Sequence, residues 1–176
     1  MTTIVAIQKD DGVYFGADSL VTATRKYSHP RMTKITQRGA FIIAGSGESA
    51  ACDIAQHIWT PPTPTATDKK DIYHFIIAKA VPSLKNCFKD QDYKWQEADD
   101  ETKFAFLIAV AGEVFDIADD FAVSMSSTGF YAVGSGSSLA IGALEAGASI
   151  NKALEIASIH DPYTGGPFYF VDQAKP

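Results

Sequence analysis

At 176 residues, 46% of them hydrophobic and 20% charged, the chain has the length of one domain and the balance of a folded globule with its own core. Fifteen Lys and Arg against 21 Asp and Glu leave a formal net charge of −6, and no basic run supplies the phosphate contacts a nucleic-acid binder needs. The longest apolar runs, 104–111 and 140–148, fall short of the roughly 20 residues that span a bilayer; the start lacks a secretion signal, and Cys52 and Cys87 are too few for a disulfide framework or a Cys-rich zinc site. These features exclude nucleic acid and membrane as partners and point to a cytoplasmic protein with reduced thiols.

In chain order, residues 3–8 and 13–18 alternate apolar side chains around Lys9-Asp10-Asp11-Gly12 and read as a β-hairpin. A loop follows through Tyr27-Ser28-His29-Pro30, and 32–37 with 40–44, joined by Arg38-Gly39, reads as a second hairpin, giving four strands before any helix. Both faces of these strands are apolar, so the sheet is expected to be covered on both sides. Gly45-Ser46-Gly47 opens a helix over 48–59, which the Thr-Pro tract 60–65 ends. A second helical period runs over 70–88 with a kink at Pro82. The acidic stretch 90–103 reads as a surface loop, and 104–111 with 114–117 as a third hairpin. The stretch 119–129 fits neither period. A strand over 130–133 leads into Gly134-Ser135-Gly136, then a small-residue helix over 137–147, a helix capped by Ser149 or Asn151 running to 159, and a last strand over 168–171. Runs of strands separated from pairs of helices indicate an α+β layered fold in one domain, 1–176.

No Gly-x-Ser-x-Gly elbow, His-Glu-x-x-His or Walker loop is present, and the four histidines have no metal-ligand spacing, so no metal or cofactor is expected. The remaining place for a nucleophile is the chain terminus. Removal of Met1 would leave Thr2 with a hydroxyl nucleophile and, on the same residue, an α-amine base of reference pKa about 7.7 to 8.0. Asp18 falls sixteen positions after Thr2 and Lys34 sixteen further on. A lysine among apolar neighbours is costly to bury unpaired, and Asp18 is its natural partner; the alternative is an edge-strand Lys34 and a turn Asp18. As a buried pair beside Thr2, the Lys34 ammonium would lower the pKa of its hydroxyl and amine, and the Asp18 carboxylate would hold the ammonium in place.

Thr2-Thr3-Ile4-Val5-Ala6-Ile7, Gly16-Ala17-Asp18, Thr33-Lys34-Ile35, Ile43-Ala44-Gly45, Val133-Gly134-Ser135-Gly136-Ser137 and Asp161-x-x-Thr164-Gly165-Gly166-Pro167 resemble, in order and spacing, the β-type subunits of the 20S proteasome and their bacterial relatives HslV and Anbu. The resemblance covers nearly the whole chain. It implies an N-terminal nucleophile hydrolase with a four-layer αββα sandwich, a threonine endopeptidase acting on peptides or unfolded proteins in stacked homo-oligomeric rings fed by an AAA+ ATPase unfoldase. Carried over by residue, Thr2 matches the nucleophile, Lys34 the group that lowers its pKa, Asp18 the residue that orients Lys34, and Gly45 the oxyanion-hole N–H. Ser135 matches the serine near the terminal amine, Asp161 the carboxylate supporting it, and Thr164 a hydroxyl where the proteasome pattern has serine. Val21 and Ile43 match pocket-lining positions, implying a small to medium apolar side chain before the cleaved bond. The stretch from Lys34 to Gly45 is shorter than in the archaeal β pattern. An alternative reading keeps the fold without catalysis: with Met1 retained, Thr2 has no free amine, and the protein serves as a bacterial or phage assembly component. Reading the Gly-Ser-Gly turns as anion nests is poor, because neither has a Lys or Arg beside it.

Overall fold

The computed structural model describes residues 2–22, 26–28, 33–95 and 103–175. The first hairpin forms as its alternation predicts: β1 (Thr3–Lys9) and β2 (Gly12–Ala17) pair from Ile4 opposite Ala17 to Lys9 opposite Gly12. β10 (Phe130–Gly134) joins the free edge of β1 and β11 (Tyr169–Ala174) that of β2, so the first sheet has the order β10-β1-β2-β11. The second sheet, β5-β6-β7-β8-β9, comprises Ile35–Arg38, Phe41–Gly47, Phe104–Val110, Glu113–Ile117 and Val123–Ser124. All of these pairings are antiparallel.

The period-2 alternation of each strand sets the layers. Ile4 and Ala6 of β1 meet Ile42 and Ala44 of β6 in a core between the sheets. Val5 and Ile7, on the opposite face, pack under α4 (Ser137–Glu145) and α5 (Ile150–His160) against Ala140, Leu144, Leu154 and Ala157. On β6, Phe41 and Ile43 face outward to the other helical layer, with Trp59, Phe75, Leu84 and Phe88. The result is the αββα sandwich the resemblance implied. Each large side chain so buried contributes about 1.5 to 3 kcal/mol, and Phe88 stacks on Phe104 with ring centroids 5.6 Å apart.

Local chemistry accounts for the departures. The stretch expected to be a loop before the second hairpin contains a short ribbon, β3 (Leu20–Thr22) with β4 (Lys26–Ser28), so that among the described residues six strands precede the first helix. The strand expected over 32–37 begins at Ile35, and Met32 lies outside the described residues. The helix expected over 48–59 is α1 (Ser49–Asp53), capped by the Glu48 carboxylate on the Ala51 N–H, followed by a π-helical turn, Ile54–Ile58, closed by Trp59 N–H on the Ile54 carbonyl. The kink at Pro82 takes the same form: α2 (Ile72–Phe75) widens into a π-helical turn, Ile76–Ala80, immediately before α3 (Val81–Asp90), whose first turn holds Pro82. The wider turn accommodates a residue without an N–H. The undecided stretch contributes β9, and the last strand runs on to Ala174.

Candidate active site

Three strand ends converge on Thr2. β1 starts at Thr3, opposite Gly134 of β10, while Ile4 lies opposite Ala17, the last residue of β2. Asp18 therefore emerges beside one flank of Thr2 and Ser135 beside the other. Thr2 is 6% exposed and Asp18 fully buried.

The Asp18 carboxylate takes four hydrogen bonds. Oδ1 accepts from Lys34 Nζ at 2.6 Å and from the Thr3 N–H at 2.9 Å; Oδ2 accepts from the Leu20 and Gly165 N–H groups, both at 3.1 Å. Lys34 Nζ also donates to the Leu20 carbonyl at 2.7 Å, and its side chain is 10% exposed. The two residues form a buried, hydrogen-bonded ion pair, not an edge lysine and a turn aspartate. Burial holds the Lys34 ammonium below the ordinary lysine pKa, against the attraction of Asp18. A lysine so placed releases its proton more readily than one in water.

On the other flank, Asp161 directly follows α5. Its Oδ2 accepts from Ser135 Oγ at 2.7 Å and Thr164 Oγ1 at 2.5 Å, and its Oδ1 from the Tyr163 N–H at 3.2 Å. Burial raises the Asp161 pKa, but the hydrogen bonds from Thr164, Ser135 and Tyr163 outweigh it and hold the carboxyl below its ordinary value. Ser135 Oγ also lies 3.4 Å from the Thr2 carbonyl oxygen.

Thr3 joins the two flanks, a role its sequence position does not reveal. Its N–H goes to Asp18, and its hydroxyl pairs with Thr164 Oγ1 at 2.5 Å. Since the Thr164 proton goes to Asp161, Thr3 is the donor. Gly136 makes room for this contact: a Cβ there would lie 2.2 Å from Thr3 Oγ1. Thr3→Val, which keeps the shape but removes the donor, is expected to cost about 0.5 to 1.5 kcal/mol in urea unfolding. Thr3→Ser should restore most of it, and a Thr3→Val protein as stable as the parent would show that the hydroxyl does nothing there.

The alternation that turns Thr3 toward the helices turns Thr2 toward a cleft at the end of the sandwich. Thr2, Val21, Lys34, Gly47, Cys52 and Gln56 are among the groups around its cavity of about 120 Å³. Val21, matched by the resemblance to a pocket-lining position, lines this cleft. Ile43 does not: it shares the outward face of β6 with Phe41 and is fully buried in the helix-covered core. Gly45 lines the cleft, but its N–H donates to the Lys34 carbonyl at 3.1 Å as part of the β5-β6 ladder. N–H groups on one edge of an antiparallel strand recur every second residue, so Gly47 presents the next N–H on that edge, beyond the end of β5. Among the described residues it has no partner. Cys52, also at the cleft, has its thiol pushed up to about 12 by burial, which keeps it neutral and unreactive.

No protein-family model matches the chain, and no curated protein sequence does. Solved structures match over nearly its whole length. Thiobacillus denitrificans BPH in complex with epoxomicin covers 99% of this chain and 99% of its own with a TM-score of 0.75 at 21% identity. Thiobacillus denitrificans BPH in a second structure gives the same score and identity over 98% of its own chain. Eukaryotic HslV from Trypanosoma brucei covers 97% of this chain and 98% of its own, with a TM-score of 0.64 at 19% identity. The chain has the fold of these HslV-like, proteasome-type proteins, the family its sequence motifs resemble.

Proposed function

We propose that the chain is a threonine-type endopeptidase whose nucleophile is Thr2 after removal of Met1. The observation that carries this reading is the setting of Thr2 between two fully hydrogen-bonded polar clusters, Lys34 with Asp18 and Asp161 with Ser135 and Thr164. A fold does not need a buried ammonium-carboxylate pair for stability, because apolar residues of like volume serve as well or better. At the mouth of a cleft that opens on a terminal threonine, the pair has a chemical use.

In the proposed reaction Thr2 Oγ attacks the scissile carbonyl and its own α-amine takes the hydroxyl proton. The Lys34 ammonium stabilises the alkoxide character of Oγ, and Asp18 holds Lys34 in place. The Gly47 N–H, rather than that of Gly45, stabilises the oxyanion. Collapse of the tetrahedral intermediate breaks the C–N bond, and the ammonium of Thr2 returns the proton to the leaving amine. Water, activated by the same amine, then hydrolyses the ester and frees Oγ. Ser135 and Asp161, steadied by Thr164, accept hydrogen bonds from the terminal ammonium.

The reading extends to a single domain over 1–176, working in the cytoplasm as homo-oligomeric stacked rings on peptides or unfolded proteins delivered by an AAA+ ATPase. Ile58 and Ile77 on one outer helical layer and Ile159 on the other are exposed apolar side chains available to such contacts. Among the described residues no helix is long and apolar enough to cross a membrane.

Intact mass tests the proposal. Untagged protein is weighed before and after incubation with a peptide epoxyketone, which condenses with both the amine and the hydroxyl of one terminal threonine. Loss of the Met1 mass with a single adduct is expected. A mass that keeps Met1 and gains no adduct would favour the non-catalytic assembly reading.

A further inference from the structure

One hydroxyl beside Thr2 has no part in the reaction as proposed above. Ile42 and Ala44 of β6 face the core between the sheets, and the alternation of the strand puts Ser46 on the same face, at the end of the sandwich where it lines the cavity of Thr2. An alanine would finish this apolar row without burying a polar group. Ser46 is 5% exposed, and its Oγ has no hydrogen-bond partner among the described residues. The hydroxyls of Ser135, Thr164 and Thr3, around the same nucleophile, all have one. A buried hydroxyl without a protein partner is rare and marks a place where water or a reacting group completes the bond. The cavity, about 120 Å³, is roomy enough to hold water.

Its place decides what that bond is for. A Cβ on Gly134 would stand 2.9 Å from Ser46 Oγ and would clash with the Thr2 carbonyl oxygen. Ser46 Oγ and the Thr2 main chain therefore face one narrow gap on the β10 side, the flank of Ser135 and Asp161. In the chain Ser46 is followed by Gly47, whose N–H is the proposed oxyanion donor. The hydroxyl thus stands between the group that fixes the acyl carbonyl and the flank that holds the terminal amine, and the water that hydrolyses the acyl-enzyme has to sit between the same two. We infer that Ser46 is the positioning residue for this water, an inference that rests on Thr2 being the nucleophile. Ser46 Oγ accepts a hydrogen bond from one O–H of the water and the Thr2 α-amine accepts from the other, which leaves an oxygen lone pair facing the ester carbon. The water oxygen bonds to that carbon, its proton goes to the amine, the C–Oγ bond breaks, and the ammonium returns the proton to Oγ. Ser46 neither gains nor loses a proton.

The test uses the processed, assembled protein and a peptide nitrophenyl ester, whose good leaving group makes hydrolysis of the acyl-enzyme the slow step. Ser46→Ala is expected to lower kcat about ten-fold or more. KM should fall in the same proportion, leaving kcat/KM within about two-fold of the parent's, because acylation is untouched. The variant should keep a full burst of nitrophenol, and its acyl-enzyme should be visible by intact mass. Hydroxylamine, which takes the acyl group without a held water, should speed turnover of the variant more than that of the parent. A kcat like the parent's overturns the inference. So does a loss in kcat/KM with KM unchanged, because Ser46 would then act on acylation or on the fold. A parent that gives neither a burst nor an epoxyketone adduct removes the hydrolase reading itself, and this role with it.

Discussion

Lys34→Ala is expected to abolish peptide cleavage and to weaken the fold by about 3 to 5 kcal/mol, the usual cost of removing one partner of a buried ion pair. The size of the second effect follows from what stays behind. Asp18 is fully buried and would keep its negative charge with only the N–H groups of Thr3, Leu20 and Gly165 to compensate it. The Leu20 carbonyl would lose its ammonium donor as well. The catalytic loss has a different origin. Without the ammonium nothing offsets the charge that develops on Thr2 Oγ, whether or not the chain stays folded. Adding Asp18→Asn separates the two effects: it removes the stranded charge, so the double variant should recover part of the stability and none of the activity. Urea unfolding and peptide hydrolysis on the same preparations decide the matter. A Lys34→Ala protein with full activity would remove the mechanism proposed here.

How far the site could be read in the sequence depends on whether a residue acts through its side chain or its main chain. Lys34 carries a charge that must be paired once buried, with Asp18 as its natural partner, so its place among apolar neighbours is itself a signal, whereas Asp161, Ser135 and Thr164 were legible only through the motif resemblance; the structure brings Lys34 to Asp18 and Asp161 to Ser135 and Thr164. The proposed oxyanion donor, a main-chain N–H, leaves no such trace. Gly45 and Gly47 both follow the apolar run of β6, and only the register of β5, which puts Lys34 O on the Gly45 N–H, shows which is left unpaired. Ile43 misled for a related reason. A strand apolar on both faces does not say which face meets the cleft, and the packing of Trp59 and Phe75 against Phe41 settles it. The layers themselves were legible, because Val5 and Ile7 alternate with Ile4 and Ala6, and both sets require cover. Glu48, Ser149 and the hairpin turns marked most element boundaries. The β3-β4 ribbon escaped because its strands are three residues each, too short for alternation to register.

Gly134→Ala provides the complementary test, since it changes no charge and no hydrogen-bonding group yet should lower cleavage by about a hundred-fold or more. Gly134 pairs with Thr3 across β1 and β10 and has a φ of +97°, in the region that side chains strain. A Cβ there would stand 1.9 Å from the Thr2 carbonyl oxygen and 2.9 Å from Ser46 Oγ. The backbone of Thr2 has to move, because the clashing atom is main chain and cannot rotate away. A displacement of about 1 Å at a nucleophile is enough for a hundred-fold loss, and the strained φ adds about 1 to 3 kcal/mol of destabilisation. The control is Gly142→Ala in α4, where an added Cβ meets nothing within 4 Å and helix propensity favours alanine by about 1 kcal/mol. That variant should be as active as the parent and slightly more stable. The contrast separates position from charge: Lys34→Ala removes an electrostatic group from a correctly placed Thr2, whereas Gly134→Ala leaves Lys34 and Asp18 intact and moves the nucleophile. A Gly134→Ala protein with the parent's kcat/KM would mean that β10 does not set the place of Thr2, and the convergence of the three strand ends would not be what builds the site.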